Sequence, residues 1–158
     1  MAEIEIVEAL EGPDIDAAKA LIRAYVAWLG VDLSHQGFEA EMETFPGQYA
    51  PPKGALLLVR VDGVPAGVVG LRPLDGDICE MKRLWVAPEF SGFGLGRRLC
   101  TRFLEEGCRL GYRTVRLDTV ARAQAANHIY RSMGFREIPA YRYNPEPDAL
   151  YFERSLPA

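Results

Sequence analysis

Between Pro88 and Leu99 the chain reads PEFSGFGLGRRL: Gly92, Gly94 and Gly96 alternate with other residues, and Arg97 and Arg98 follow at once. An apolar run, RLWVAP, comes just before. Glycine lets a backbone approach an anion with no Cβ in the way, and the first amides of a helix point outward without partners. The helix dipole adds partial positive charge at the same place. A strand, this turn and a following helix therefore make a chemically sensible phosphate cradle. Arginines in a first helical turn oppose the dipole, and an anion that compensates them accounts for their position. The plain alternative is a glycine turn with solvated arginines.

Three phosphate cradles compete. A Walker A loop needs a GK[ST] ending, which GLGRRL lacks. A dinucleotide fold has strand, glycines, helix and strand in this order, with Asp118 about where a ribose-binding acid belongs. Against it, Arg97 stands where the third glycine should pack helix against strand, and the motif lies mid-chain after a hairpin. The third is the pyrophosphate loop of acyl-CoA-dependent N-acetyltransferases. LWVAPEFSGFGLGRRL resembles the strand, loop and helix of the GNAT superfamily, whose signature is Q/R-x-x-G-x-G/A. AANHIYRSMGFREI resembles that family's later helix, which bears a tyrosine and ends in Gly-Phe. The two segments occur in the family's order and at about its spacing, and the likeness covers most of the chain. One position departs: Ser91 stands where the family has Gln or Arg, so it offers a hydroxyl to a phosphate and no charge.

The resemblance implies a fold, a reaction and a set of residues. The fold is a single α/β (α+β) domain over residues 1–158, with a mixed, mostly antiparallel, splayed sheet and about four helices. The reaction moves an acetyl group from acetyl-CoA to an amine by direct attack in a ternary complex. Ser91, Gly92, Phe93, Gly94, Leu95, Gly96 and Arg97 would hold the pyrophosphate. Leu84 and Val86 would offer backbone groups to the pantetheine arm, with Trp85 adjoining. A backbone N–H there can face a developing oxyanion. Tyr130 is expected as general acid, because a phenol with a pKa near ~10 still holds its proton at neutrality. Otherwise it is a core tyrosine. Glu80 is the candidate base. An extended strand would put it on one face with Lys82, Leu84 and Val86, and some histone-modifying members carry a base glutamate at this spacing. Its other reading is an ion pair with Lys82 or Arg83, leaving water as the base. Asn127, one turn before Tyr130, either bonds the pantetheine amides or is an exposed helix residue; the family's asparagine often falls where Ala123 stands. A non-catalytic acyl-CoA-binding or sensing module on the same fold is the alternative function.

The acceptor is less legible. In the family its site is built by the first two helices and the last strands' loop, here about GVDLSHQGFEAEMETFPGQYAPPKG and YRYNPEPDA. Tyr49, Tyr141 and Tyr143 can line a pocket, Arg142 can meet a carboxylate, and Glu39, Glu41 and Glu43 can attract a cationic amine. A small-molecule, amino-acid or peptide amine fits equally, and a homodimer is admitted.

The elements that must position these groups follow from periodicity and punctuation. MAEIEIVEALEG reads as a first strand and not a signal peptide. Asp14 can cap a helix to about Leu29, with Ile15, Ala18, Ile22, Tyr25 and Leu29 at helical spacing and Gly30 as its stop. A short helix is expected near Phe38 to Thr44, then a loop, FPGQYAPPKG. Two β-rich runs flank Asp62-Gly63, a tight hairpin signal. ICEMKRLWV is a further strand. Leu95, Leu99, Phe103 and Leu110 mark an amphipathic helix over residues 94–110. GYRTVRLDTV returns as a strand, Gln124 to Met133 is a helix capped by Gly134, and short strands close the chain near Phe135 to Ile138 and Leu150 to Glu153.

Composition sets the outer limits. The chain has 158 residues, of which 49% are hydrophobic and 25% charged, which fits one folded domain and not a disordered or membrane protein. A net charge of -4 argues against a nucleic-acid binder. Cys79, Cys100 and Cys108 are odd in number and lack CxxC spacing, so packing thiols and a cytoplasmic setting are expected. His35 and His128 have no ligand cluster beside them, and no metal is assigned.

Overall fold

A computed structural model describes residues 1–30, 33 and 37–157; His35 lies outside the described residues. The hairpin at Asp62-Gly63 forms, with both residues in the left-handed region (φ 51° and 82°) that its tight turn requires. It joins β2 (Ala55–Val61) to β3 (Val64–Asp75). β1 (Ile4–Glu8) pairs antiparallel on the outer side of β2, and β4 (Ile78–Val86) pairs antiparallel with β3. β5 (Thr114–Val120), β6 (Arg136–Glu137) and β7 (Ala149–Ser155) complete a seven-stranded sheet in the order β1-β2-β3-β4-β5-β7-β6. β7 is longer than expected and pairs with β5 along its whole length.

The pairing between β4 and β5 is parallel and stops early. It covers Ile78↔Thr114, Cys79↔Val115 and Glu80↔Arg116 only, so the strands part beyond Glu80. This is the expected splay. It leaves the β5-facing backbone of β4 from residue 81 onward out of the ladder.

Helices cover both faces. α1 (Gly12–Leu29) and α2 (Phe38–Glu43) lie on one, over a core that includes Ile22, Met42, Tyr49, Leu58, Val68 and Trp85. α3 (Leu95–Arg109) and α4 (Gln124–Ser132) lie on the other, over Leu57, Val69, Leu99, Phe103, Leu117 and Phe152. α1 starts two residues before Asp14: Pro13, whose fixed φ suits a first turn, leaves Glu11 as the N-cap. Asp14 instead pairs with Arg60 of β2 at 2.7 Å. Gly30 ends the helix at φ 70°. The three cysteines are free thiols, and burial pushes Cys79 and Cys100 up to about 12, as packing residues require.

Candidate active site

The glycine turn sits at the N-terminus of α3, as its spacing predicts. Gly92 and Gly94 hold φ of 90° and 71°, a region where a side chain is strained, and Gly94 is the N-cap. The first helical bond runs from the Arg98 N–H to the Gly94 carbonyl at 3.2 Å. The amides of residues 95–97 precede it and are the outward donors an anion needs. Gly96 lets α3 approach α4: a Cβ there would stand 2.9 Å from Ile129 Cδ1. Arg97 reaches across the same contact to the Ser132 hydroxyl at 3.0 Å, and Phe93 is exposed and packs on Phe90.

From this turn a cavity of about 550 Å³ runs into the gap between β4 and β5. Ser91, Gly92, Gly94, Leu95 and Gly96 line one end, and Leu84, Trp85 and Val86 line the splayed edge of β4. The far end is walled by Tyr25, Trp28, Lys82, Arg83, Asp118 and Asn144. Because its lining draws on both cores, the cavity passes from one face of the sheet to the other.

Tyr130 stands in the wall between these ends, 5% exposed, against Phe135 and Phe152. Burial raises its hydroxyl well above the ordinary phenol range. It therefore stays protonated at any physiological pH.

Glu80 requires a correction. It is 0% exposed and does not line the cavity. Its Oε1 accepts from Arg72 Nε and Arg142, each at 2.9 Å; its Oε2 accepts from the Tyr141 hydroxyl at 2.6 Å and lies 2.8 Å from Arg142. With both oxygens occupied by cations and a hydroxyl, the carboxylate has no open lone pair facing a substrate. Nor are its ion partners Lys82 or Arg83. A bulge explains the face error: Gly70 pairs with Lys82 and Val68 with Trp85, while Arg83 takes φ 62°. The bulge resets the alternation, so Leu84 and Val86 pack with Met81 and Cys79, and Trp85 turns to Tyr25 and Trp28.

Asn127 is buried at the root of α4, donating from Nδ2 to the Val120 carbonyl at 2.9 Å, and is not part of the cavity wall. Several of the supposed acceptor residues have partners elsewhere in the fold, while Glu43 and Tyr143 are exposed. Tyr49 is buried, and Glu41 receives Arg83 Nε and Nη2 at 3.3 and 2.9 Å. Glu39 pairs with Arg23, and Arg142 with Glu80.

What sequence reasoning missed is the pair across the splay. Lys82 lies two residues beyond Glu80 and Asp118 two beyond Arg116, the last paired positions, so both side chains project from the same face where the strands separate. Nζ stands 3.4 Å from Asp118 Oδ1, and Asn144 Nδ2 holds Oδ2 at 3.1 Å. Burial pushes the lysine down to about 8, with Asp118 pulling the other way. Burial opposes ionisation of Asp118, but Lys82, Arg142 and Asn144 outweigh it and keep the carboxyl below its usual range. The pair is charged at neutrality, with the lysine close to releasing its proton. The β6–β7 loop closes over it: Tyr141 and Arg142 are tied to Glu80, and Glu146 and Asp148 to Arg122 at 2.8 and 2.6 Å.

A splayed sheet with a glycine cradle at its mouth and a through-cavity defines an acyl-CoA transferase. Residues 19–135 match the acetyltransferase (GNAT) family, and the chain belongs to it: it is an acyl-CoA-dependent N-acetyltransferase. It is 36% identical over 145 residues to an uncharacterised N-acetyltransferase of Schizosaccharomyces pombe, covering 90% of this chain and 89% of that one. A GNAT acetyltransferase from Staphylococcus aureus has the same fold, with a TM-score of 0.80 at 20% identity, over 98% of this chain and 100% of the other. The protein yncA of Salmonella typhimurium, solved with its cofactor acetyl-CoA, superposes with a TM-score of 0.66 at 19% identity, over 99% and 94% of the two chains. Among the described residues there is no cluster of metal-ligating side chains, and no helix is long and apolar enough to cross a membrane.

Proposed function

We propose that this chain transfers the acetyl group of acetyl-CoA to the primary amine of a small molecule, an amino acid or a peptide, with both substrates held in the one cavity. The observation that carries this reading is continuity: the glycine turn, Tyr130 and the charged end beyond the splay all line the same space. Bound acetyl-CoA supplies the thioester carbonyl and the leaving sulfur. The amides of residues 95–97 receive the pyrophosphate, and Ser91 adds a hydroxyl to the wall. The unpaired edge of β4 at Leu84, Trp85 and Val86 offers N–H and C=O groups to the pantetheine arm. Tyr130 donates a proton to the departing sulfur. Holding amine and thioester in line provides much of the remaining acceleration. Asn127 acts one layer back, fixing the end of β5 to α4.

The cradle is tested by Gly94→Asp. Aspartate tolerates a left-handed backbone better than most residues, so the fold survives. Its carboxylate then opposes the pyrophosphate at the point of closest approach. The dissociation constant of acetyl-CoA is expected to rise at least about 100-fold, or roughly 2.7 kcal/mol. An unchanged constant by calorimetry, with native circular dichroism, contradicts the cradle.

The reaction is tested by following thiol release from acetyl-CoA with each common amino acid, putrescine and a short lysine peptide, and by product mass. Acetylated product with at least one amine is expected. Acetyl-CoA binding with no transfer to any amine would instead favour a binding or sensing module.

A further inference from the structure

An acceptor amine is an ammonium ion at neutral pH and must lose a proton before it can attack, and Glu80 is sealed away from the site. We propose that Lys82, which lines the cavity at the β4/β5 splay with its Nζ 3.4 Å from Asp118 Oδ1, is the base that accepts this proton. The inference rests on the acetyltransferase reading above and names the proton acceptor of that same site.

Elimination among the cavity's described residues supports it. Arg83 and Arg122 are cations paired with Glu41 and with Glu146 and Asp148. Glu146 is taken by Arg122, and Asp118 already accepts from Lys82 and Asn144. Tyr25 and Tyr130 are phenols raised by burial. Lys82 alone sits close to neutrality, at about 8. Among the described residues, the charged groups acting on it include Asp118 of β5, Arg72 of β3, and Glu80 and Arg83 of its own strand. Arg142 and Asn144 of the β6–β7 loop act on it through Asp118.

The proton balance closes. One N–H bond of the ammonium breaks and an N–H bond forms at neutral Nζ, with Asp118 stabilising the new cation. The freed lone pair forms the bond to the acetyl carbon as the C–S bond breaks. Sulfur takes the Tyr130 hydroxyl proton, and Tyr130 regains one from the nitrogen that becomes the amide. Lys82 returns its proton to solvent.

Two measurements test this. The first is kcat/KM against pH with the fastest amine of the screen. It should rise to a limb near pH 8, set by Lys82. Lys82→Arg keeps a cation but cannot give up its proton. It should lose at least about 100-fold in kcat and lose the limb, with acetyl-CoA affinity unchanged. Asp118→Asn should move the limb to lower pH, because the anion that favours the ammonium is gone. A Lys82→Arg enzyme with wild-type rate and limb overturns the proposal and makes Lys82 a charge anchor.

The second needs no acceptor. The chain has three lysines, Lys19, Lys53 and Lys82. Carbon-13 lysine NMR, assigned through Lys82→Arg, should show one of them titrating well below the other two. Ordinary titration of all three overturns the proposal whatever the assays give. Failure of the acetyltransferase reading looks different: wild-type protein would release no thiol, even with Lys82 titrating low.

Discussion

Tyr130→Phe is expected to lower kcat by roughly 100-fold or more, the usual contribution of a positioned proton donor. The affinity for acetyl-CoA should be essentially unchanged. The substitution removes one oxygen from the cavity wall and leaves the ring where it is, against Phe135 and Phe152. None of the side-chain hydrogen bonds among the described residues uses that hydroxyl, so stability should hold or rise slightly. Because burial holds the phenol protonated far above neutrality, the loss should be constant with pH from acid to mildly alkaline conditions. A mutant with wild-type kcat would remove Tyr130 from the mechanism and return it to the core.

Glu80→Ala should act in the opposite manner, on stability first. The carboxylate pairs with both Arg72 and Arg142 and is the acceptor for the Tyr141 hydroxyl. Taking away one partner of a buried ion pair costs about 3–5 kcal/mol, because the other charge stays buried. The low end applies here, since both guanidinium groups keep some contact with solvent. About 3 kcal/mol corresponds to a fall in Tm of roughly 6–12 °C for a chain of this size. The β6–β7 loop, which carries Asn144 and Glu146 to the cavity, should loosen, raising KM for the amine more than it lowers kcat. Glu80→Gln, which keeps an acceptor for Tyr141, should lose less and retain kcat below its Tm. A Glu80→Gln enzyme that is fully folded yet loses kcat 100-fold or more would restore Glu80 as the base.

The two substitutions separate what the sequence makes legible from what it does not. Local signals with a steric cause could be read directly. The Asp62-Gly63 turn, the Gly30 stop and the Gly94 start of α3 each fall at positions of positive φ. The family resemblance singled out Tyr130 as the proton donor, and Tyr130 lines the cavity.

The misreadings arose where a local rule was overridden by a distant partner. Strict alternation assigned Glu80 to the face of Leu84 and Val86, but the bulge at Arg83 inverts the faces, held by Glu41 from a helix some forty residues earlier in the chain. Arg142 and Glu80 meet only because the β6–β7 loop folds back over β4, which no spacing encodes. Lys82 and Asp118 were each noticed for other reasons, the first as a partner for Glu80 and the second as a ribose ligand. Their relation needed the parallel register, since residues two beyond the last ladder pair face each other only where two strands part. A lysine and an aspartate, each two residues past the splay on adjacent strands, are a signal that could have been sought once the fold was assumed.

The most direct test of the central claim is a calorimetric titration of acetyl-CoA into the wild-type protein, with NADH as the control. The cradle at α3 and the open edge of β4 require saturable binding of acetyl-CoA near one equivalent and none of NADH. Absence of acetyl-CoA binding at high concentration would reduce the glycine turn to a turn, and the roles given to Tyr130 and Lys82 would go with it.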